Sequence, residues 1–261
     1  MRDVGRPVIV TGMQTHIHEV ADGIHRLSTH VPEAAPGGLT FNQYLVTGDE
    51  PLLFHTGARQ LFPLVQESVA KVIDVDDLRW ISFGHIESDE SGAMNQWLGA
   101  APRSSVVFNG LGCMVSLNDL CDRPPVIADP ESPQDIGGHV LRTVATPHVP
   151  HGWEAQLLFD ETTRTLFCGD LFTRVGAASA LVHDSDLIQP ALDAEDMFGA
   201  TALTPDTAPT LRRLAALEPR TLALMHGPAY AGDCRQALLD LADAYESRFT
   251  ASLELTHAGA N

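Results

Sequence analysis

The stretch Ile81 to Gly92, ISFGHIESDESG, places one imidazole and two carboxylates at alternate positions directly after an apolar run. That run, Leu78 to Phe83, predicts a strand that ends at Gly84. On a straight strand the side chains of His85 and Asp89 would share one face about 13 Å apart. Because two metal ions in a shared site lie about 3.5–4 Å apart, the peptide must curl, and Gly84 gives the backbone that freedom. The stretch therefore predicts a loop that wraps metal.

Three distant residues of similar chemistry also follow short apolar runs. His148 lies in TPHVPHGW, Asp170 ends the run LFCGD, and His226 ends the run TLALMH. Since strand ends meet along one edge of a sheet, these side chains are expected to converge with the first stretch. The alternative, an acidic loop with unrelated histidines elsewhere, requires four strand ends to match the pattern by coincidence.

This pattern, H-x-E-x-D, then His, then Asp at a strand end, then a late His, resembles the metallo-β-lactamase superfamily. Glu87 in place of a second His, with GGLTFNQYLV, HVPH, CGDLF and HGPAY, resembles its di-iron branch: stand-alone oxygen-binding di-iron proteins and the metal domain of flavodiiron proteins. The resemblance covers essentially the whole chain. It implies an α/β (α+β) fold, with residues 1–261 as one αββα sandwich of two mixed sheets face to face and helices on both outer surfaces.

The resemblance also implies a ligand set for two iron ions joined by an oxo or hydroxide bridge. The first ion takes His85, Glu87 and His148, the second takes Asp89 and His226, and Asp170 bridges both. Anionic oxygen ligands suit iron and manganese, so Glu87 in place of an imidazole favours redox iron. Two zinc ions, the commoner occupants of this fold, are the alternative.

Four further residues are expected around the ions: His151, His25, Glu90 and Trp153. Many flavodiiron proteins carry a sixth histidine where this chain has Glu90, which either binds the second ion or, the favoured choice, faces solvent at a helix start. His151 lines the pocket, supports a ligand by a hydrogen bond or is a surface imidazole. Trp153 forms a core or pocket wall, and His25 matches a histidine position in similar proteins. His55 lies either near the site or only in the core, and the core position is the favoured interpretation.

Composition limits the possible classes. The chain has 261 residues, 44% hydrophobic residues and a net charge of −18, which disfavours nucleic acid and anionic membranes as partners. No apolar run reaches the roughly 18 residues of a membrane span, and no export signal is visible. The four cysteines form no CxxC pair, so reduced thiols in the cytoplasm are expected.

Two functions are compatible with this sequence pattern. The first is a protein that binds, activates or reduces dioxygen, or nitric oxide. Because the chain shows no flavodoxin-sized segment, it is expected to take electrons from a separate redox protein, or to act as an oxygen sensor or carrier with a signalling partner. Similar proteins are often homodimers. The second is a zinc hydrolase whose metal-bound hydroxide attacks an ester, lactone, thioester or phosphodiester, against which Glu87 argues.

Periodicity predicts the elements that hold these residues. Strands are expected within residues 8–30, in a hairpin over 41–55, and at the runs before each candidate ligand. Helices are expected at about 59–72, 90–100, 113–120, 188–199, 206–217 and 231–247.

Overall fold

A computed structural model describes residues 12–259, and of residues 255–259 the backbone only. Two sheets of seven strands each face one another. The strands of the first sheet follow chain order: β1 Thr15–Ala21, β2 Ile24–Val31, β3 Leu39–Val46, β4 Leu52–Phe54, β5 Trp80–Ser82, β6 Ser105–Phe108 and β7 Val126–Ile127. Strands β1 to β4 pair antiparallel, and β4 to β7 pair parallel.

The second sheet has the order β12-β14-β13-β11-β10-β9-β8. Its strands are β8 Gln134–Asp135, β9 Val140–Ala145, β10 Gln156–Asp160, β11 Thr165–Phe167, β12 Leu181–Val182, β13 Thr221–Ala223 and β14 Ala229–Tyr230. Strands β8 to β11 form an antiparallel meander, and β11 continues in parallel to β13. Strand β14 then pairs antiparallel with β13 and parallel with β12.

Helices cover the outer faces of both sheets. They are α1 Phe62–Val69, α2 Ser88–Ser91, α3 Met94–Ala100, α4 Gly110–Gly112, α5 Asn118–Leu120, α6 Ile188–Phe198, α7 Thr207–Ala215 and α8 Cys234–Gly259, with a 3-10 turn at Val75–Asp77 and a π-helix at Cys113–Leu117. The predicted αββα architecture is confirmed.

Strand alternation separates three hydrophobic layers. In β3, Leu45 packs outward with Val65 of α1 and Trp97 of α3, whereas its neighbour Tyr44 points inward against Phe167 of the second sheet. On the other side, α6 to α8 cover the second sheet through a further buried cluster. Because successive side chains of a strand point to opposite faces, each sheet buries both of its faces.

A polar seam ties β3 to the residues that follow β13. The Asn42 side chain donates to the carbonyls of Leu224 and Gly227, each at 2.8 Å, and the Tyr44 hydroxyl donates to Leu224 O at 2.8 Å. Arg26 donates to the same Gly227 carbonyl at 2.8 Å. All three side chains are buried, so the carbonyls at this strand end are satisfied although they lie away from solvent.

The structure differs from the sequence prediction mainly at element ends. The two-residue strands β8, β12 and β14 are additional, and α8 continues well beyond the predicted end at residue 247. Residues 8–11 of the first predicted strand segment lie outside the described residues. Among residues 12–259, no helix combines the length and apolarity that crossing a bilayer requires.

Asp160 closes the turn between β10 and β11. Its carboxylate accepts hydrogen bonds from Thr162 N at 3.1 Å, Thr163 N at 3.2 Å and His139 Nδ1 at 2.8 Å. Burial favours the neutral acid, but the bonds from His139 and Thr163 outweigh it and lower the pKa of Asp160. The ionised carboxylate therefore stabilises the fold at neutral pH.

Replacing Asp160 with Asn should lower the free energy of unfolding by about 1–3 kcal/mol at neutral pH, because the amide cannot accept all of these bonds. Since the folded pKa lies below the unfolded value of about 3.9, the wild-type contribution is complete above that value and is lost as pH falls through the folded pKa. Urea unfolding should therefore show a difference between the two proteins that shrinks in acid.

The matched control is Asp135→Asn, since Asp135 caps a similar turn through Gly137 N but is exposed. It should change stability little at either pH. Equal losses in the two variants would contradict the role assigned to Asp160.

Candidate metal centre

The loop after β5 curls as its sequence requires. An added Cβ at Gly84 would lie 2.9 Å from Glu90 Oε2, so only glycine lets the backbone approach this carboxylate. Helix α2 starts directly after Glu87, and Asp89 lies in its first turn. The turn of helix brings the side chains of His85, Glu87 and Asp89 onto one concave side instead of a straight row.

The first group of candidate ligands contains His85, Glu87, His151 and Asp170. His85 Nε2 lies 2.8 Å from Glu87 Oε2 and 2.9 Å from His151 Nε2. Asp170 Oδ2 lies 3.7 Å from the first of these nitrogens and 3.6 Å from the second. Ligand atoms about 2.1 Å from one ion are roughly 3.0–3.4 Å apart, so this spacing matches one shared ion.

The second group contains Asp89, Asp170 and His226. His226 Nε2 lies 3.2 Å from Asp89 Oδ2 and 3.3 Å from Asp170 Oδ1. Asp170 therefore presents one carboxylate oxygen to each group. Its Oδ1 atom is buried and has no hydrogen-bond partner, which leaves a buried acceptor whose charge a cation would satisfy.

His226 is held in a fixed orientation. Its Nδ1 lies 2.8 Å from the carbonyl of Thr40, and because a carbonyl only accepts, Nδ1 carries a proton and Nε2 is the ring nitrogen that faces Asp89 and Asp170. Phe41 packs edge-on against the ring, with centroids 5.1 Å apart. The contact with β3 thus orients Nε2 toward the candidate metal position.

Glu90 lies behind His85, fully buried. Its Oε2 accepts hydrogen bonds from Gly84 N at 2.6 Å and His85 N at 2.8 Å. Its Oε1 lies 3.4 Å from His85 Nδ1 and 3.3 Å from His55 Nε2. The expectation that Glu90 faces solvent is wrong, because α2 turns its side chain inward to satisfy the curled backbone.

Carboxylates dominate the electrostatics of the site. Burial acts to lower the pKa of His85, but Glu90, Glu87 and Asp170 outweigh it and raise that pKa to about 12. Asp170 and Asp89 likewise overcome burial and raise the pKa of His226 to about 10. Hydrogen bonds from His151 and His85 lower the pKa of Glu87. The surroundings favour positive charge at these positions, as a cation site requires.

His151, and not His148, is the histidine that this loop contributes. His148 is exposed, adopts a left-handed conformation with φ 63° and donates its backbone N–H to Gly152 O at 2.7 Å. That tight turn directs His148 outward and returns His151 to the site three residues later. The sequence offered both imidazoles in one loop, and only the turn geometry distinguishes them.

The remaining expected neighbours divide between the site and the surface. His25 belongs to neither ligand group, because on β2 it alternates with inward-facing Arg26 and so points to the opposite face. Trp153 is 54% exposed and does not line the cavity beside the ligands, so it forms neither core nor pocket wall. His55 is fully buried against Glu90, although the sequence alone favoured a purely core role.

Comparison with known families identifies the family of this chain. The family described as "ODP family beta lactamase" matches residues 39–227, a segment that contains both ligand groups. The chain belongs to this family. The expected metallo-β-lactamase resemblance is thereby confirmed.

Several relatives of this ODP-family chain carry flavoprotein names. "Putative diflavin flavoprotein A 1" of Thermosynechococcus vestitus is 29% identical over 204 residues, which cover 75% of this chain and 35% of that protein. The chain thus spans about a third of the length of this curated relative.

Solved structures share the fold at low identity. The metal-soaked Flv1 flavodiiron core from Synechocystis sp. PCC6803 has a TM-score of 0.74 and 19% identity, covering 91% of this chain and 61% of that one. Rubredoxin oxygen:oxidoreductase from Desulfovibrio gigas has a TM-score of 0.74 and 18% identity, covering 87% and 62%. These likenesses show that the two-sheet architecture is that of flavodiiron cores.

Replacing Glu90 with Gln should weaken metal binding by about 10–100-fold, because the buried negative charge makes His85 a stronger donor and the amide removes it. Competition with a chromophoric chelator measures the apparent dissociation constant of the added ion. The exposed Glu131→Gln variant is the control and should bind as the wild type does. A folded Glu90→Gln protein with wild-type affinity would exclude this supporting role.

Replacing His151 with Ala should reduce bound metal from about two ions to about one per chain, since the first group loses an imidazole. His148→Ala, in the same loop, should retain both ions. Elemental analysis after desalting gives the stoichiometry. The reverse result, with loss only in His148→Ala, would restore the ligand set expected from the sequence.

Proposed function

We propose that this chain is a non-haem di-iron protein that binds dioxygen. In this proposal His85, Glu87 and His151 hold one ion, Asp89 and His226 hold the other, and Asp170 bridges them. The main observation behind this proposal is that Asp170 is shared, with one carboxylate oxygen beside each ligand group. Its Oδ1 atom is also buried without a hydrogen bond. Two cations satisfy this arrangement better than one, because each oxygen then has its own positive partner.

The donor set favours iron over zinc. It combines three imidazoles with three carboxylates, and anionic oxygen donors stabilise the ferric state and suit iron and manganese. The three carboxylates would neutralise three of the four charges of two divalent ions, and a hydroxide or another small anion would neutralise the fourth. Iron held there would supply electrons to a small oxidant such as dioxygen.

The surrounding residues support binding of a small ligand. Glu87 and His151 keep about 54% and 25% of their side chains exposed, whereas His85 and His226 are nearly buried. The exposed side opens into a cavity that also contacts Asp89 and His226. Glu90 and Thr40 hold the two buried histidines from behind, so the rings keep their orientation while ligands enter from the front.

The names of similar proteins support the same class. One similar structure is named rubredoxin oxygen:oxidoreductase, and the Synechocystis structure is named a flavodiiron core. By analogy we propose that residues 1–261 form one domain, that the protein is a homodimer and that its partner is a separate redox or signalling protein. Four unpaired cysteines agree with a cytoplasmic location.

The deciding experiment measures metal content and the response to air. Protein purified without added metal should contain about two irons per chain. An anaerobic ferrous sample opened to air should develop a new visible absorption band. If the band reverses on removing oxygen, the protein is a carrier or sensor, whereas rapid turnover with a reduced donor protein would indicate a reductase.

Two outcomes would exclude the di-iron proposal. Two zinc ions, no colour and turnover of a generic ester or phosphodiester would place the chain among zinc hydrolases. Absence of any bound metal after anaerobic reconstitution, in a folded protein, would exclude both functions. Asp170→Ala serves as the negative control, since loss of the bridging side chain should empty both positions.

A further inference from the structure

A cavity of about 470 Å³ opens directly from the candidate ligands. Its inner end is formed by the ligand side chains of Glu87, Asp89, His151, Asp170 and His226. Its walls come mainly from helix α6 and the loop that follows it, with one residue of α8. The apolar lining residues are Leu39, Pro150, Ala191, Ala194, Phe198 and Ala200, and the lining residues with a hydroxyl group are Thr173, Thr201 and Tyr245.

This cavity is far larger than dioxygen needs. The volume, which includes the space for the two ions, lies within the range of about 300–1,000 Å³ typical of small-molecule sites, whereas one water occupies about 30 Å³ in the liquid. A chamber serving a diatomic gas alone requires no apolar wall of this extent. The excess space implies a second ligand or co-substrate.

The charges around the cavity define the chemistry of that ligand. With two divalent ions in place, the three ligand carboxylates leave one positive charge at the inner end, and an anionic oxygen head would neutralise it in place of the hydroxide. Apart from those ligands, the one charged residue that lines the cavity in the described chain is Glu195. Its Oε2 accepts a hydrogen bond from Thr201 N at 3.0 Å, which holds the negative charge at the wall.

We propose that the cavity binds a small monocarboxylate with an apolar body, its head at the ions and its body along α6 and α8. This inference rests on the proposed dinuclear function and adds its organic ligand class. Ala191 and Ala194 provide the space for the body, because larger side chains at these wall positions would fill it. Glu195 disfavours a second acid on the ligand.

The test uses protein loaded with Co²⁺, whose visible bands report a new ligand without any turnover. Acetate, butyrate and hexanoate are titrated as probes. Because each buried CH₂ contributes about 0.8 kcal/mol, affinity should rise by up to about fourfold per CH₂. Hexanoate should bind at least tenfold more tightly than acetate, and the dicarboxylate adipate should lose most of this gain.

A cavity-filling variant distinguishes the contribution of the cavity wall to ligand binding from that of the metal ions. Ala200 lines the cavity and is exposed, so Ala200→Phe should fold while removing the advantage of hexanoate over acetate. Ala251→Phe, on the exposed side of α8 and outside the cavity, is the matched control and should retain the chain-length dependence. Ala194→Leu provides a second filling variant from helix α6.

The outcomes distinguish the two proposals. If acetate shifts the bands but hexanoate binds within twofold of acetate, the organic-ligand proposal is wrong and the dinuclear site stands. If the filled variants keep the chain-length dependence, the body lies elsewhere and the proposal is also wrong. If the folded protein takes up no Co²⁺, both proposals fail together.

Discussion

The carboxylate of Glu90 is the constraint on which the site depends. It is fully buried and accepts the backbone N–H groups of Gly84 and His85 at 2.6 and 2.8 Å. These bonds replace the sheet pairing that the strand loses when it curls, so the sharp turn leaves no backbone donor unsatisfied there. The same carboxylate lies within 3.4 Å of the His85 ring and 3.3 Å of His55. One buried anion thus fixes both the backbone and the imidazole of the first ligand.

The two sheets meet at the positions where the ligands leave their strands. Gln156 of β10 donates its backbone N–H to Gly84 O at 2.8 Å, which joins the loop before His85 to the second sheet. In the opposite direction, Thr40 of β3 fixes His226 through a bond of 2.8 Å. Each sheet therefore positions a ligand that belongs to the other. Because these buried bonds join the two sheets beside His85 and His226, a change in sheet packing should also change the geometry of the site.

The sequence predicts elements well where apolar periodicity is strong. Helices α6 and α7 and the strands before His85, Asp170 and His226 follow directly from such patterns. Two-residue strands such as β14 carry too little pattern to predict. The sequence also did not show which histidine of the loop faces the site, because His148 and His151 have the same chemistry. Only the left-handed turn at His148 directs that residue outward. The prediction that Glu90 faces solvent was wrong for a related reason. A carboxylate at a helix start is usually solvated, and the burial of Glu90 is explained only by the curled backbone, whose N–H groups need an acceptor.

Charge balance explains how several carboxylates can share this pocket. Glu87, Asp89, Asp170 and Glu90 bring four carboxylates together, two of them buried or nearly so. Raised pKa values at His85 and His226 mean that protons on these rings offset the carboxylates before metal arrives. Metal ligation requires these ring nitrogens to be deprotonated, so ions that bind here would displace those protons. Protons and ions would thus neutralise the same anionic frame.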